Sequence, residues 1–331
     1  MPTNEPTPTT ATPATPTAAT ATASTAATRT PITAATPTPS TDRPAHAAGA
    51  GRFSLGGDLP VARMGFGAMR LPAPDWHGPA GDPDRAVDVL RRAVGLGVDH
   101  IDTAWFYFFR DLSANALIRR ALHPYPDDLV IATKVGPGRT YDGDWLPSAG
   151  PAELTAAVHR TLRELGRDHL DLVYLRALPS DGPLSERFGT LAELRDQGLI
   201  RHLGVSNMSA EQLAEARRIA PVSAVQNHFS LTHRKSDDVL DVCAHDGIAF
   251  VPFFPLGGLG ALDLATLRSI ADRHAATPAQ VMLAGLLALS PVMLPIPGTS
   301  SPAHLEENIA ATALRLTPED LTALTTGLPT T

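Results

Sequence analysis

The sequence predicts an α/β protein: a (β/α)8 TIM barrel with an N-terminal β-hairpin and a disordered N-terminal tail. Three observations carry this reading. Seven or eight short apolar runs alternate with segments of helical periodicity, a pattern of parallel strands buried on both faces and joined by right-handed crossovers. Roughly 280 residues remain once the tail is set aside, which suits one barrel. The first strand-to-helix turn has no Gly-x-Gly-x-x-Gly, which counts against the alternative, an open doubly wound sheet.

The tail is assigned to residues 1–50. Up to residue 48 it is almost wholly Thr, Pro and Ala, with Glu5, Arg29, Asp42 and Arg43 as its charges. So little apolar bulk does not offset the entropy of ordering. It lacks the basic start and apolar stretch of a secretory signal. The barrel domain is assigned to 51–331.

Within it, Phe53 to Val61 alternates and turns at Gly56-Gly57, a hairpin signature. Arg63 to Met69 reads as a short strand. Asp82-Pro83 opens a helix with Ala86, Val89, Leu90, Ala93 and Val94 on one face, closed by Gly97 before a strand over 98–104. The unit then repeats. Helices are expected at 113–122, 153–165 and 188–197, from Ser209 to before Val222, and at 237–245, 262–274, 277–289 and 302–311, with a capped C-terminal helix from about Thr317. Ser209-Ala210-Glu211-Gln212 is a capping box. Strands are expected at 129–135, 170–175, 200–205, 222–226, 248–253 and 292–296.

Composition narrows the function. No apolar run reaches the ~18 residues that cross a bilayer, so no membrane partner is expected. A net charge of −7 without basic blocks argues against nucleic acid. The single Cys243 excludes an internal disulfide and a multi-cysteine metal site, and fits a reducing cytoplasm. His100 and Asp102 alternate onto one strand face, as in metal-dependent hydrolases, but no His-x-His occurs and no metal is expected. Of 27 basic residues only Lys134 and Lys235 are lysines, which singles out Lys134 at a strand end.

The chemistry gathers where the strands end. In a barrel the C-terminal strand ends share one mouth. Asp102, Lys134 and Arg176 are the non-apolar residues expected there, with Tyr107 on the loop after Asp102. A buried lysine keeps its proton when an acid holds it, and a neighbouring cation lowers a phenol from its usual ~10. Tyr107 is therefore expected to exchange a proton near neutral pH. It sits in five consecutive aromatics, Trp105 to Phe109, in a chain with 10 Phe, 3 Trp and 4 Tyr.

At this point the chain resembles the aldo-keto reductases. His100-Ile101-Asp102-Thr103-Ala104-x-x-Tyr107, Ala132-Thr133-Lys134, Gly204-Val205-Ser206-Asn207, Pro255-Leu256-Gly257 and Ile296-Pro297-Gly298-Thr299 occur in order at family spacing. Leu170 to Arg176, Phe250 to Gly258, and Pro295 to Leu305 are similar to the bacterial branch that includes pyridoxal reductases. The resemblance covers about 51–330. It implies that Tyr107 is the general acid that protonates a carbonyl oxygen as hydride arrives, with Lys134 and Asp102 tuning it. It implies NADPH, with NADH as the alternative, and a small-molecule carbonyl substrate. Ser206, Asn207 and Gln226 would hold the nicotinamide carboxamide, with Phe253 against its ring. Pro255, Leu256 and Gly257, on to Gly258, would line the pyrophosphate. Gly298, Thr299, Ser300, His304, Glu307 and Asn308 would surround the adenosine end.

Two departures from the family pattern bear on the substrate. Arg176 stands where most members have histidine. It does not shuttle a proton, but it donates charge-assisted hydrogen bonds and is expected to favour an acidic group near the carbonyl. Phe108 replaces a glycine, so Trp105, Phe108, Phe109 and Arg110 are expected to form a narrow apolar pocket for a flat or aromatic substrate. Two other readings keep the fold: reduction of a pathway ketone or imine in specialised metabolism, and a non-catalytic nicotinamide-binding regulatory subunit.

Overall fold

The computed structural model describes residues 45–74, 77–178, 183–257 and 264–328. Residues 1–44 of the expected tail, Gly258, and the first residues of the helix expected at 262–274 lie outside them. The barrel unit runs from Pro44 to Thr331. Residues 45–50, grouped with the tail above, belong to this unit. Ala47–Ala50 form a 3-10 turn whose Ala47 is buried and donates its N–H to Leu96 O.

The hairpin forms as expected from β1 (Arg52–Leu55) and β2 (Leu59–Ala62), turning at Gly56 and Gly57, both with positive φ. Seven parallel strands follow in the order of the chain: β3 (Phe66–Gly67), β4 (His100–Asp102), β7 (Val130–Val135), β10 (Leu170–Arg176), β11 (Ile200–Ser206), β12 (Ala224–His228) and β13 (Ala249–Phe253). Each pairs in parallel with the next. Between them run α1 (Pro83–Gly95), α2 (Ala114–Leu122), α3 (Pro151–Leu165), α4 (Ser185–Asp196), α5 (Ala210–Ile219) and α6 (Asp237–Asp246). The last helices are α7 (Ala265–Arg273), α8 (Pro278–Leu289), α9 (Pro302–Ala310) and α10 (Pro318–Thr326).

Helix starts follow local chemistry. Asp82 caps α1 by accepting from Asp84 and Arg85 N–H, with Pro83 next. Ser209 and Gln212 form the capping box of α5, and Thr277 and Gln280 that of α8. Such caps are each worth about 1 kcal/mol.

The eighth strand differs from expectation. Residues 292–296 form a single parallel bridge, Met293 to Phe250, and no regular ladder, because Pro295 and Pro297 have no N–H to donate. The segment still closes the ring. Phe250 donates to Val292 O, Leu294 donates to Phe250 O, and on the other side Gly65 donates to Pro295 O. Arg63 reinforces the seam by donating to the backbone oxygens of Met293, Leu287 and Ser290.

Two cores result. The larger packs the outward strand residues, such as Ile131, Val173 and Phe250, against the helices. The smaller fills the barrel: Val130 and Ala132, Leu172 and Tyr174, Ala224, Ala249 and Val251, plugged at one end by Leu55 and Val61 of the hairpin. Along each strand the inward residues alternate. The next inward position at each C-terminal end is therefore Lys134, Arg176, Gln226 or Phe253, and the fold delivers all four to one mouth. Gly204 leaves room for the Tyr174 ring, since a Cβ there would come within 2.5 Å of Tyr174 Cδ1.

Two small hairpins at the mouth escape the sequence reading. One pairs β5 (Phe108–Phe109) with β6 (Leu112–Ser113). The other pairs β8 (Pro137–Arg139) with β9 (Trp145–Ser148). The Asp142-Gly143 dipeptide, with Gly143 at φ 105°, is the turn signal that marks the second.

Candidate active site

A cavity of about 360 Å³ opens at the C-terminal strand ends. Asp102, Tyr107, Lys134 and Arg176 all line it, together with Ser206, Gln226, Phe253, Pro255, Leu256, Gly257 and Gly298. Met69, Arg70, Trp145 and Phe254 line it as well, and sequence reasoning missed these. The four residues expected to form the substrate pocket do not line it. Trp105 lies under the Arg160 guanidinium, and Phe109 is buried against Gly78. Phe108 faces Arg139, and Arg110 is exposed over the Phe109 ring. The β5–β6 hairpin takes Phe108 and Phe109 out of the cavity lining, and Trp145 on β9 occupies the wall instead.

The polar centre is buried and cross-braced. Lys134 Nζ donates to Asp102 Oδ1 at 2.5 Å and to Thr103 O at 2.9 Å, with Asp102 and Lys134 each 3% exposed. Thr103 is in turn tied to α2, donating Oγ1–H to Asn115 Oδ1 at 2.9 Å, and Asn115 Nδ2 donates to Glu164 Oε2 on α3. Gln226 Nε2 donates to Asp102 Oδ2 at 2.7 Å. An ionised carboxylate only accepts, so it fixes the amide with its nitrogen toward Asp102. Gln226 Oε1 is left buried and without a partner.

Tyr107 lies beside this group, with Lys134 Nζ 4.7 Å from its ring centroid. Its phenol is held above the ordinary value by burial, which outweighs the opposing pull of Lys134 and Arg176. The expectation that neighbouring cations bring it toward neutrality is thereby corrected. They offset part of a larger desolvation cost, and the proton stays on the oxygen.

Arg176 faces Tyr107 electrostatically and is partly buried between two rings, with Cζ 4.8 Å from the Trp145 centroid and 5.6 Å from that of Phe106. Burial lowers its pKa from the ordinary guanidinium value, with Tyr107 opposing the shift.

The backbone is unusual at the same mouth. Asn207 (φ 58°) and Phe254 (φ 54°) are left-handed residues directly after β11 and β13, conformations that persist where surrounding structure enforces them and cluster at ligand sites. Farther out, Thr299 Oγ1 accepts from Ser301 N–H, and Ser301 Oγ caps α9 at His304 N–H. Ser300 and His304 are exposed there, Glu307 is half-buried and Asn308 is buried. These five expected cofactor residues lie beyond the cavity, around the start of α9 and along it. Among the described residues there is no cluster of three or more His, Cys, Asp or Glu able to hold a metal, and no helix is long and apolar enough to cross a membrane.

Comparison with known proteins bears on this geometry. A model of the aldo/keto reductase family matches residues 63–326. The chain is 50% identical to pyridoxine 4-dehydrogenase of Escherichia coli (strain K12) over 278 residues, which is 82% of this chain and 96% of that protein. It is 40% identical to an uncharacterised oxidoreductase of Schizosaccharomyces pombe over 265 residues, 80% of this chain and 85% of that one. Among solved structures, an aldo/keto reductase from Klebsiella pneumoniae in complex with NADP and acetate superposes with a TM-score of 0.73 at 27% identity, covering 85% of this chain and 96% of that one. A thermostable aldo-keto reductase bound to the inhibitor epalrestat gives 0.70 at 30% identity, covering 81% and 96%.

Proposed function

The chain belongs to the aldo/keto reductase family and is an oxidoreductase, and from that premise we propose that it uses NADPH to reduce a ring-borne aldehyde, with Tyr107 as the general acid. The observation that carries this reading is the Asp102–Lys134–Tyr107 group in a cavity walled by aromatic side chains. NADPH fits on the chain's own atoms. Gln226 Oε1 is an orphaned buried acceptor at the position a carboxamide N–H₂ would take, and Ser206 lies beside it. The relative crystallised with NADP supports the same choice. When bound there, the reduced nicotinamide supplies the hydride.

Each residue then has a definable task. Tyr107 holds its proton through neutral pH and gives it to the carbonyl oxygen as negative charge develops. Lys134, kept charged by Asp102, sits beside the phenol and stabilises the oxygen that has lost the proton. Gln226 links this group to the cofactor side by spending its N–H on Asp102 and its oxygen on the ligand. Trp145 and Phe254, 41% and 43% exposed at the mouth, offer faces to a flat substrate and shield the reacting atoms from water. A relative named for oxidising pyridoxine at its 4-position supports a heteroaromatic aldehyde–alcohol pair.

The test is NADPH oxidation with pyridoxal, benzaldehyde, aliphatic aldehydes and ketones, with Tyr107→Phe alongside. Turnover of aromatic aldehydes that disappears in Tyr107→Phe supports the reading. Wild-type turnover confined to ketones or imines would favour a specialised-metabolism reductase, and binding without turnover a regulatory subunit.

A further inference from the structure

Among the described residues, charge in the cavity does not balance. Two cations reach its polar centre, Lys134 and Arg176, and one carboxylate, Asp102. Asp102 is fully engaged, with Lys134 on Oδ1 and Gln226 on Oδ2. Nothing is left of it for Arg176. Among the described residues no carboxylate pairs with the Arg176 guanidinium, and its neighbours are the rings of Trp145 and Phe106. The remaining cation of the lining, Arg70, is exposed and donates to Pro74 O, so it belongs to the rim.

A partly buried guanidinium without a counter-charge is costly unless a ligand supplies one. Ring stacking does not use its in-plane N–H groups. The Trp145 and Phe106 rings lie 4.8 and 5.6 Å from the guanidinium carbon, and such ring contacts leave the N–H donors to hydrogen-bond a ligand. Tyr107 lines the same cavity and interacts electrostatically with Arg176, and its hydroxyl marks where the reacting carbonyl oxygen lies under the function proposed above.

We propose that Arg176, covered by Trp145, is an anion subsite that selects aldehydes bearing an ionised ring hydroxyl adjacent to the carbonyl. Resting on the reading of Tyr107 as general acid, this inference adds the substrate class. An ortho-hydroxy aldehyde carries its carbonyl oxygen and its phenolate oxygen on adjacent positions of the ring, one for Tyr107 and one for Arg176, which line the same cavity. The hydride-accepting carbon gains hydrogen, the carbonyl oxygen takes the Tyr107 proton, and the phenolate keeps its charge throughout. Arg176 therefore binds and orients, and no electrons pass through it. Pyridoxal, with its ring hydroxyl next to the aldehyde, has this chemistry.

The experiment compares kcat/KM for 2-hydroxybenzaldehyde, 4-hydroxybenzaldehyde and benzaldehyde in wild type, Arg176→Gln and Arg176→Lys. The ratio of ortho-hydroxy to unsubstituted substrate cancels any general loss of activity. It should fall by about tenfold or more in Arg176→Gln, the scale of a hydrogen bond to a charged group, and less in Arg176→Lys. The ratio for the 4-hydroxy isomer, whose oxygen points away from Tyr107, should stay within about twofold of its wild-type value, well under the roughly tenfold effect of a lost charged bond. An ortho ratio unchanged in Arg176→Gln overturns the proposal, since an arginine that only polarises the carbonyl affects all three substrates alike. The wild type gives a second measurement if that variant does not fold. Its preference for 2-hydroxybenzaldehyde over 2-methoxybenzaldehyde should rise with pH as the substrate's phenol ionises, and a flat ratio overturns the proposal. Failure of the wild type to reduce any of these aldehydes with NADPH would instead sink the reading on which this inference rests.

Discussion

Gln226 Nε2 donates to Asp102 Oδ2 at 2.7 Å across 124 residues of chain, and this bond orients both groups. It leaves the Gln226 oxygen buried without a partner and reserves the other carboxylate oxygen for Lys134. One side chain thus joins the proton-transfer group to the expected nicotinamide site.

Gln226→Leu should raise the KM for NADPH by about tenfold, the effect of roughly one lost hydrogen bond with a buried group left unpaired. Cofactor titration by fluorescence checks the binding part separately from turnover. An unchanged dissociation constant would remove Gln226 from the cofactor site.

Tyr107→Phe should lower kcat by about 10²–10⁴-fold while NADPH still binds, because the ring remains and the proton donor is lost. Single-turnover measurement at saturating NADPH separates the two effects.

The pH profile carries a sign. The Tyr107 pKa is raised by burial, so the protonated form that reduction needs persists from neutral into alkaline solution. Reduction of benzaldehyde should be flat through neutrality and fall only above the ordinary phenol value of ~10. Oxidation of benzyl alcohol, which needs the deprotonated form, should rise over that same alkaline range. A reductive limb that falls near pH 7 would contradict this environment.

Cys243 is buried on α6, and burial pushes its thiol up to about 12. Thiol reagents that need the thiolate should leave the native protein unmodified and active, and react once it is unfolded in denaturant. Rapid labelling of the native chain would show that α6 opens readily.

Asp320 ties the C-terminal helix to α7. It is buried, accepts from Arg273 at 2.5 Å and His274 at 2.6 Å, and caps its own helix start at Thr317. These partners hold its carboxyl well below the usual carboxylate range. A depressed folded-state pKa stabilises above the unfolded value of ~3.9 and is lost as pH falls through the folded one. Asp320→Asn should cost on the order of 1–3 kcal/mol at pH 7 in urea unfolding, and the difference from wild type should shrink in strong acid.

Much of this protein is written locally. Continuous apolar runs declared the strands, and the period of two that buries Val130 and Ala132 inside the barrel carries Lys134 to the mouth. Caps at Asp82, Ser209 and Thr277 were readable because an N-cap is decided within four residues. The meeting of Asp102, Lys134 and Arg176 at one mouth was therefore legible, as was that of Ser206, Gln226 and Phe253.

Tertiary structure decided the rest. Trp145 reaches the cavity wall only because the 137–148 hairpin folds over it, while Trp105, Phe108 and Phe109 on either side of Tyr107 pack against other neighbours. Whether a loop side chain faces a cavity depends on where distant backbone docks, and no local period encodes that. Closure of the barrel by a proline-interrupted segment, and the net rise of the Tyr107 pKa, have the same origin. Each is a balance between groups far apart in sequence, settled when the ring closes and the water leaves.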